Sequence, residues 1–120
     1  MSNTDNNCCG SSCDKVFFPA AVAENLVSYV EYADGSIVSK TLYDSPHCTL
    51  TIFAFDKDQN LSEHVAPFDA FVQVLDGEVE VLVDGKPYRA KAGELVLMPA
   101  NIPHAVKAIS KFKMLLTLLS

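Results

Sequence analysis

Hydrophobic and polar residues alternate most cleanly over residues 78–83, where Val79, Val81 and Val83 share one side and Glu78 and Glu80 take the other. A period of two sends successive side chains to opposite faces, so this segment reads as a strand with one dry and one partly wet face. Residues 27–32, 37–43 and 49–55 are likewise rich in β-branched and aromatic residues and bounded by turn formers, which predicts further strands. Val72 and Val74 are placed inward by the same parity. Asp34-Gly35, Asp76-Gly77 and Asp84-Gly85 carry the short-range signature of hairpin turns. Residues 19–25, with Pro19 in the first turn, predict a short helix. The last strand, residues 112–119, has leucines on both faces. Its second face is expected against another sheet or another subunit, with burial inside a two-layer sandwich of one chain as the plain alternative. Closing many short antiparallel strands removes most exposed edges, so the predicted fold is all-β, a jelly-roll barrel of the double-stranded β-helix type.

A chain of 120 residues with 49% hydrophobic content suits one compact domain. Residues 1–15 are polar and rich in Ser, Asn and Asp, which predicts a flexible tail, with residues 16–120 forming the barrel. Three of the four cysteines, Cys8, Cys9 and Cys13, crowd that tail, and Cys48 lies in the domain. This is unlike a secreted disulfide framework and lacks the Cys-x2-Cys pairs of a structural zinc site, so the tail thiols are read as oxidisable and without a fixed role, a soft metal being the other reading. A net charge of -6 with scattered Lys and Arg argues against nucleic acid and anionic membrane as partners. No apolar run approaches the ~20 residues of a spanning helix, and the polar start is unlike a signal peptide, so a soluble cytoplasmic protein is expected.

The candidate chemistry lies in residues 61–104, which bring His64 and His104 onto neighbouring strands. Pro99 and Pro103 fix the backbone that leads into the second of these. Strands, turns and histidines together resemble the cupin superfamily, in particular its small single-domain members. That family's first motif reads Gly-x5-His-x-His-x3-4-Glu-x6-Gly, and counting back from Gly77 places its histidines at His64 and Ala66 and its glutamate at Ala70. In the second motif, Gly-x5-Pro-x-Gly-x2-His-x3-Asn, Gly93, Pro99 and His104 match, while Asn101 and Ala108 replace the second glycine and the closing asparagine.

The resemblance implies a barrel interior able to hold one divalent transition metal (Zn, Fe, Mn or Ni) on several histidines and a carboxylate. Here it retains only His64 and His104 as ligands, with His47 as a remote third and the two alanines supplying no donor. Glu63, Asp69 and Gln73 have the wrong parity to join them in regular strands. Two functions follow. The first is small-molecule binding in a pocket lined by His64, Ala66, Ala70, Val72, Val74, Met98 and His104, with Phe53 or Phe55, where the alanines leave room for an apolar guest and the imidazoles orient its polar end. The alternative is a metal-dependent enzyme, an oxygenase or isomerase, or a metal-free variant with one histidine as general base. A homodimer built on the last strand with Phe71 or Leu75 is compatible with either.

Overall fold

The computed structural model describes residues 15–120, so the cysteine cluster at Cys8, Cys9 and Cys13 lies outside the described residues. Two antiparallel sheets face each other. One contains Lys15–Val16 (β1), Ile37–Asp44 (β2), Cys48–Phe55 (β3), Asp69–Asp76 (β5), Leu95–Met98 (β8) and Phe112–Leu119 (β10), in the order β1-β2-β3-β10-β5-β8. The other contains Asn60–His64 (β4), Glu78–Val83 (β6), Lys86–Lys91 (β7) and His104–Ala108 (β9), in the order β4-β9-β6-β7. From β3 onward every connection crosses between sheets except β6–β7, which is the winding of a jelly-roll barrel.

The turn signals divide by function. Asp84-Gly85 is a true two-residue hairpin, with Val83 opposite Lys86 and both turn residues at positive φ, 53° and 79°. Asp76-Gly77 joins β5 to β6 in the other sheet, so it is a corner and not the hairpin its sequence predicts. At the corner Gly77 has φ 76°, and a Cβ there would collide with the Lys111 carbonyl and sit 2.9 Å from Phe112 Cα. Asp34-Gly35 is a turn before β2, but residues 27–32 are not a strand. They begin inside a 3-10 turn at Leu26–Ser28 that Asn25 caps by accepting from the Val27 amide at 3.1 Å. No helix forms over residues 19–25 either, because Ala21 turns the chain at φ 61°.

The missing strand has a physical reason. Val30, Leu26, Tyr29 and Tyr32 pack, with Phe18, on the outer face of the larger sheet, against Ile52, Ala54, Leu42, Leu75 and Leu115. Side chains from this segment cover the sheet instead of extending its ladder. The second leucine face of β10 is therefore covered in part by the chain's own amino-terminal segment, and Leu75 lies beneath it as well. Lys113, 8% exposed on that face, donates to the Val27 carbonyl and lies 4.8 Å from the Tyr32 ring centre. The Tyr32 hydroxyl donates to Asp76 at 2.6 Å, and burial, then this carboxylate, push its pKa well above the phenol range.

Between the sheets, Phe112, Met114, Leu116 and Leu118 of β10 point inward in period two. Phe112 stacks on Phe55 with ring centres 4.6 Å apart and fills one end of the barrel, together with Val72, Val74, Val79 and Val81. The opposite end, past Met114 toward Leu118, is not filled.

Candidate functional site

The unfilled end is a cavity of about 260 Å³. Its wall is Leu61 and His64 from β4, Ala70 from β5, Met98 from β8, His104 and Val106 from β9, and Met114, Leu116 and Leu118 from β10, with Ala66 and Phe68 from the β4–β5 connection. Inward positions normally follow a spacing of two, yet Leu61 and His64 are three apart. The register of β4 against β9 shifts between these two residues, and this irregularity turns both into the cavity. Glu63, within the irregular stretch, remains exposed. Asp69 stays on the outside, where its carboxylate accepts from the Ala100 amide at 2.9 Å.

His64 and His104 stand directly opposite each other on β4 and β9. Their rings meet edge to face, centres 4.4 Å apart at 76°, with Nε2 to Nε2 at 3.1 Å. His104 is 3% exposed, whereas His64 is exposed at the mouth. Each ring is held from behind: His64 Nδ1 lies 2.9 Å from the Ser62 carbonyl and His104 Nδ1 lies 3.2 Å from the Ile102 carbonyl. A carbonyl only accepts, so both Nδ1 atoms carry hydrogen, and the two Nε2 atoms face each other. Burial, and then repulsion from the neighbouring His64, lower the His104 pKa.

Nδ1 donating to a backbone carbonyl with Nε2 turned forward is also how metal-binding histidines are held. Two imidazoles are nevertheless a fragment of a shell, since tetrahedral and octahedral ions take four or six donors. Every other lining side chain is apolar, and among the described residues no group of three or more His, Cys, Asp or Glu converges on one point. The described residues of this cavity do not fit a resident divalent ion. His47, the remote third ligand by sequence, lies outside the cavity wall in a separate shallow depression with Ser45, Pro46 and Cys48. It sits where β2 turns into β3, and its carbonyl accepts from the Ser120 amide at 3.0 Å.

The structure brings His64, Ala66, Ala70, Met98 and His104 to one cavity. Val72, Val74 and Phe55 point inward but are buried in the packed end, and Phe53 packs against them partly exposed, so none of these lines the space. Sequence reasoning missed Leu61, Phe68, Val106, Met114, Leu116 and Leu118. The inward parity of β10 was readable as a signal for the last three, but not which end of the strand would stay open.

The profile of the cupin domain family matches residues 51–119. A conserved protein of unknown function from Streptococcus pyogenes is 34% identical, with a TM-score of 0.82, over 86% of this chain and 90% of that one. A cupin 2 conserved barrel domain protein from Leptotrichia buccalis is 51% identical, with a TM-score of 0.79, over 81% of this chain but only 47% of that longer one. A cupin superfamily protein from Desulfitobacterium hafniense, 24% identical with a TM-score of 0.80 over 85% of this chain and 94% of that one, shares the fold. No curated protein matches the chain. The sheet order, the paired histidines and the matched span together place this chain in the cupin family.

Proposed function

We propose that this protein binds a small, largely apolar molecule in the open end of its barrel, with the guest's polar end at His64 and His104. The observation that carries this reading is the cavity of about 260 Å³ whose only polar side chains, among the described residues, are those two imidazoles. Apolar concavities with a few placed polar groups are the usual form of small-ligand sites. An empty apolar void of this size lacks dispersion partners on one side, so a guest that fills it gains contacts that water does not supply. A metal-dependent oxygenase or isomerase would need donors that the cavity wall does not provide.

Titration with heptan-1-ol, followed through the methyl resonances of Met98 and Met114, tests the reading. Both residues line the cavity, and their methyls are expected to shift together and saturably. Unmoved methyls up to the solubility limit of the alcohol would refute it.

We also propose that two copies associate through the outer face of the larger sheet. Leu95, Leu97 and Leu119 are 59%, 46% and 40% exposed there, and Phe71 lies between Leu97 and Thr117 in the register. Exposed leucines next to the free edge of β8 suit a self-complementary two-fold contact.

A further inference from the structure

We infer that the guest is a flat, single-ring aromatic molecule, standing on the Ala70 methyl between Leu118 and Met98 with its polar substituent toward the facing sheet. This rests on the binding reading above and adds the shape and chemical class of the guest's body.

The register of the larger sheet builds a slot. Leu118, Ala70 and Met98 are partners in one row across β10, β5 and β8, and all three line the cavity. A single methyl between two long side chains leaves a notch. Across the strands its walls stand two strand spacings apart, ~9.6 Å at ~4.8 Å each. Along the chain the notch is longer. Phe68 bounds it two residues before Ala70 and the fully buried Val72 two residues after, ~13 Å apart at ~3.4 Å per residue.

These dimensions select a shape. Carbon atoms in contact lie ~3.5–4.0 Å apart, so one carbon layer between two walls needs ~7–8 Å and two layers need ~10.5–12 Å. The notch therefore takes one layer. A flat ring on edge has that form and covers both walls at once. An alkyl chain also fits in one layer but covers only a strip of each wall, and a puckered saturated ring carries hydrogens on both faces that the width does not accommodate.

The walls suit an aromatic ring chemically as well. Met98 forms one side of the slot, and Met114 lines the cavity from deeper along β10. Thioether sulfur makes favourable contacts with aromatic rings. The slot is also set in advance. The β4–β5 connection that carries Ala66 and Phe68 is pinned to the turn after β8 at two points. The Ala66 carbonyl accepts from the Asn101 amide at 2.8 Å, and the Asp69 carboxylate accepts from the Ala100 amide at 2.9 Å. A wall fixed before binding loses little freedom when the guest arrives.

The test is NMR titration of the full chain with benzyl alcohol and with cyclohexylmethanol, each affinity corrected for that alcohol's partition between water and hydrocarbon. After correction, benzyl alcohol is expected to bind at least about fivefold more tightly, the margin of two sulfur contacts to the ring. Lying between the two walls, its ring should move the methyl protons of Met98 and Leu118 upfield together, which cyclohexylmethanol does not do. Leu118→Ala removes one wall, so the preference should disappear there through tighter binding of cyclohexylmethanol. Equal corrected affinities for the unmodified chain overturn the inference, as does an upfield shift at only one of the two walls. A preference that survives Leu118→Ala also overturns it. In each of these cases saturable binding of heptan-1-ol leaves the cavity reading standing. If none of the three alcohols binds, both readings fall. Should Leu118→Ala fail to fold, the two measurements on the unmodified chain decide the matter alone.

Discussion

Replacing Ala70 with leucine should stabilise the protein while closing its site. Ala70 is 2% exposed, yet its methyl faces the unfilled end of the barrel, so three added carbons would enter space that is now empty. At ~0.8 kcal/mol per buried methylene the gain is at most about 2.4 kcal/mol, and fixing the leucine rotamer returns ~0.5–1 of it. A net gain of about 1.5 kcal/mol corresponds to a rise in Tm of roughly 6 °C for a chain of this size. The control is Ala54→Leu. Ala54 is fully buried on the other face of the same sheet, packed among Ile52, Val30 and Leu42, and leucine there has no void to enter. Overpacking of that kind costs ~1–3 kcal/mol. Thermal unfolding of the two variants beside the unmodified chain is therefore a comparison of signs. The Ala70 variant should also lose heptan-1-ol binding. A Tm that falls in Ala70→Leu as it falls in Ala54→Leu would mean that the cavity is not there, and the proposed function would go with it.

Gly77→Ala should destabilise by at least ~2 kcal/mol in denaturant unfolding, since it adds the left-handed strain of an L-residue to a backbone collision with Lys111 and Phe112. Stability should fall as pH drops below the ordinary histidine value of ~6.5, because the folded state holds His104 below that value and the unfolded chain binds the proton first; urea midpoints at pH 7.5 and 5 should show the loss, and His104→Gln should shrink it. Tyr32→Phe removes the hydroxyl that donates to Asp76 and should cost ~1–3 kcal/mol, with faster native-state proteolysis between residues 18 and 32 as its local signature. Light scattering should give twice the chain mass at micromolar concentration and the single mass for Leu97→Lys; a monomeric unmodified chain refutes the dimer proposal.

The sheet faces were legible because parity is a local property. Val79 and Val81 inside, Glu78 and Glu80 partly exposed, and Gln73 outside all follow from a period of two. Which strands join which sheet was not legible. Asp76-Gly77 and Asp84-Gly85 are the same dipeptide, yet one turns a corner between sheets and the other closes a hairpin, because the close approach of residues 111–112 that requires Gly77 comes from the far end of the chain. Residues 27–32 misled for a related reason. Their composition fits a strand, but no neighbouring backbone is offered to them, and their aromatic and branched side chains gain more by covering Ile52 and Leu115. At the site, spacing from Gly77 located His64, Ala66 and Ala70, whereas the irregularity that turns Leu61 and His64 to one side depends on how β4 meets β9.

Two features that look independent in the sequence are one device in the fold. Alanine at positions 66 and 70 removes the donors that would complete a metal shell, and the same two positions open the wall of the cavity. A carboxylate at position 70 would both fill space and bring a negative charge toward His64 and His104. Ala70→Glu therefore separates the possible fates of the pair. It is expected to abolish heptan-1-ol binding by steric occupation, and it supplies a third donor to two imidazoles already held from behind by Ser62 and Ile102. Equilibrium dialysis against Zn²⁺ should then show uptake by Ala70→Glu that is lost on adding His104→Gln, with the unmodified barrel taking up less. If the unmodified chain already binds Zn²⁺ as tightly as the variant, and His104→Gln abolishes that binding, donors beyond the two imidazoles must reach the ion, and the pair holds a metal.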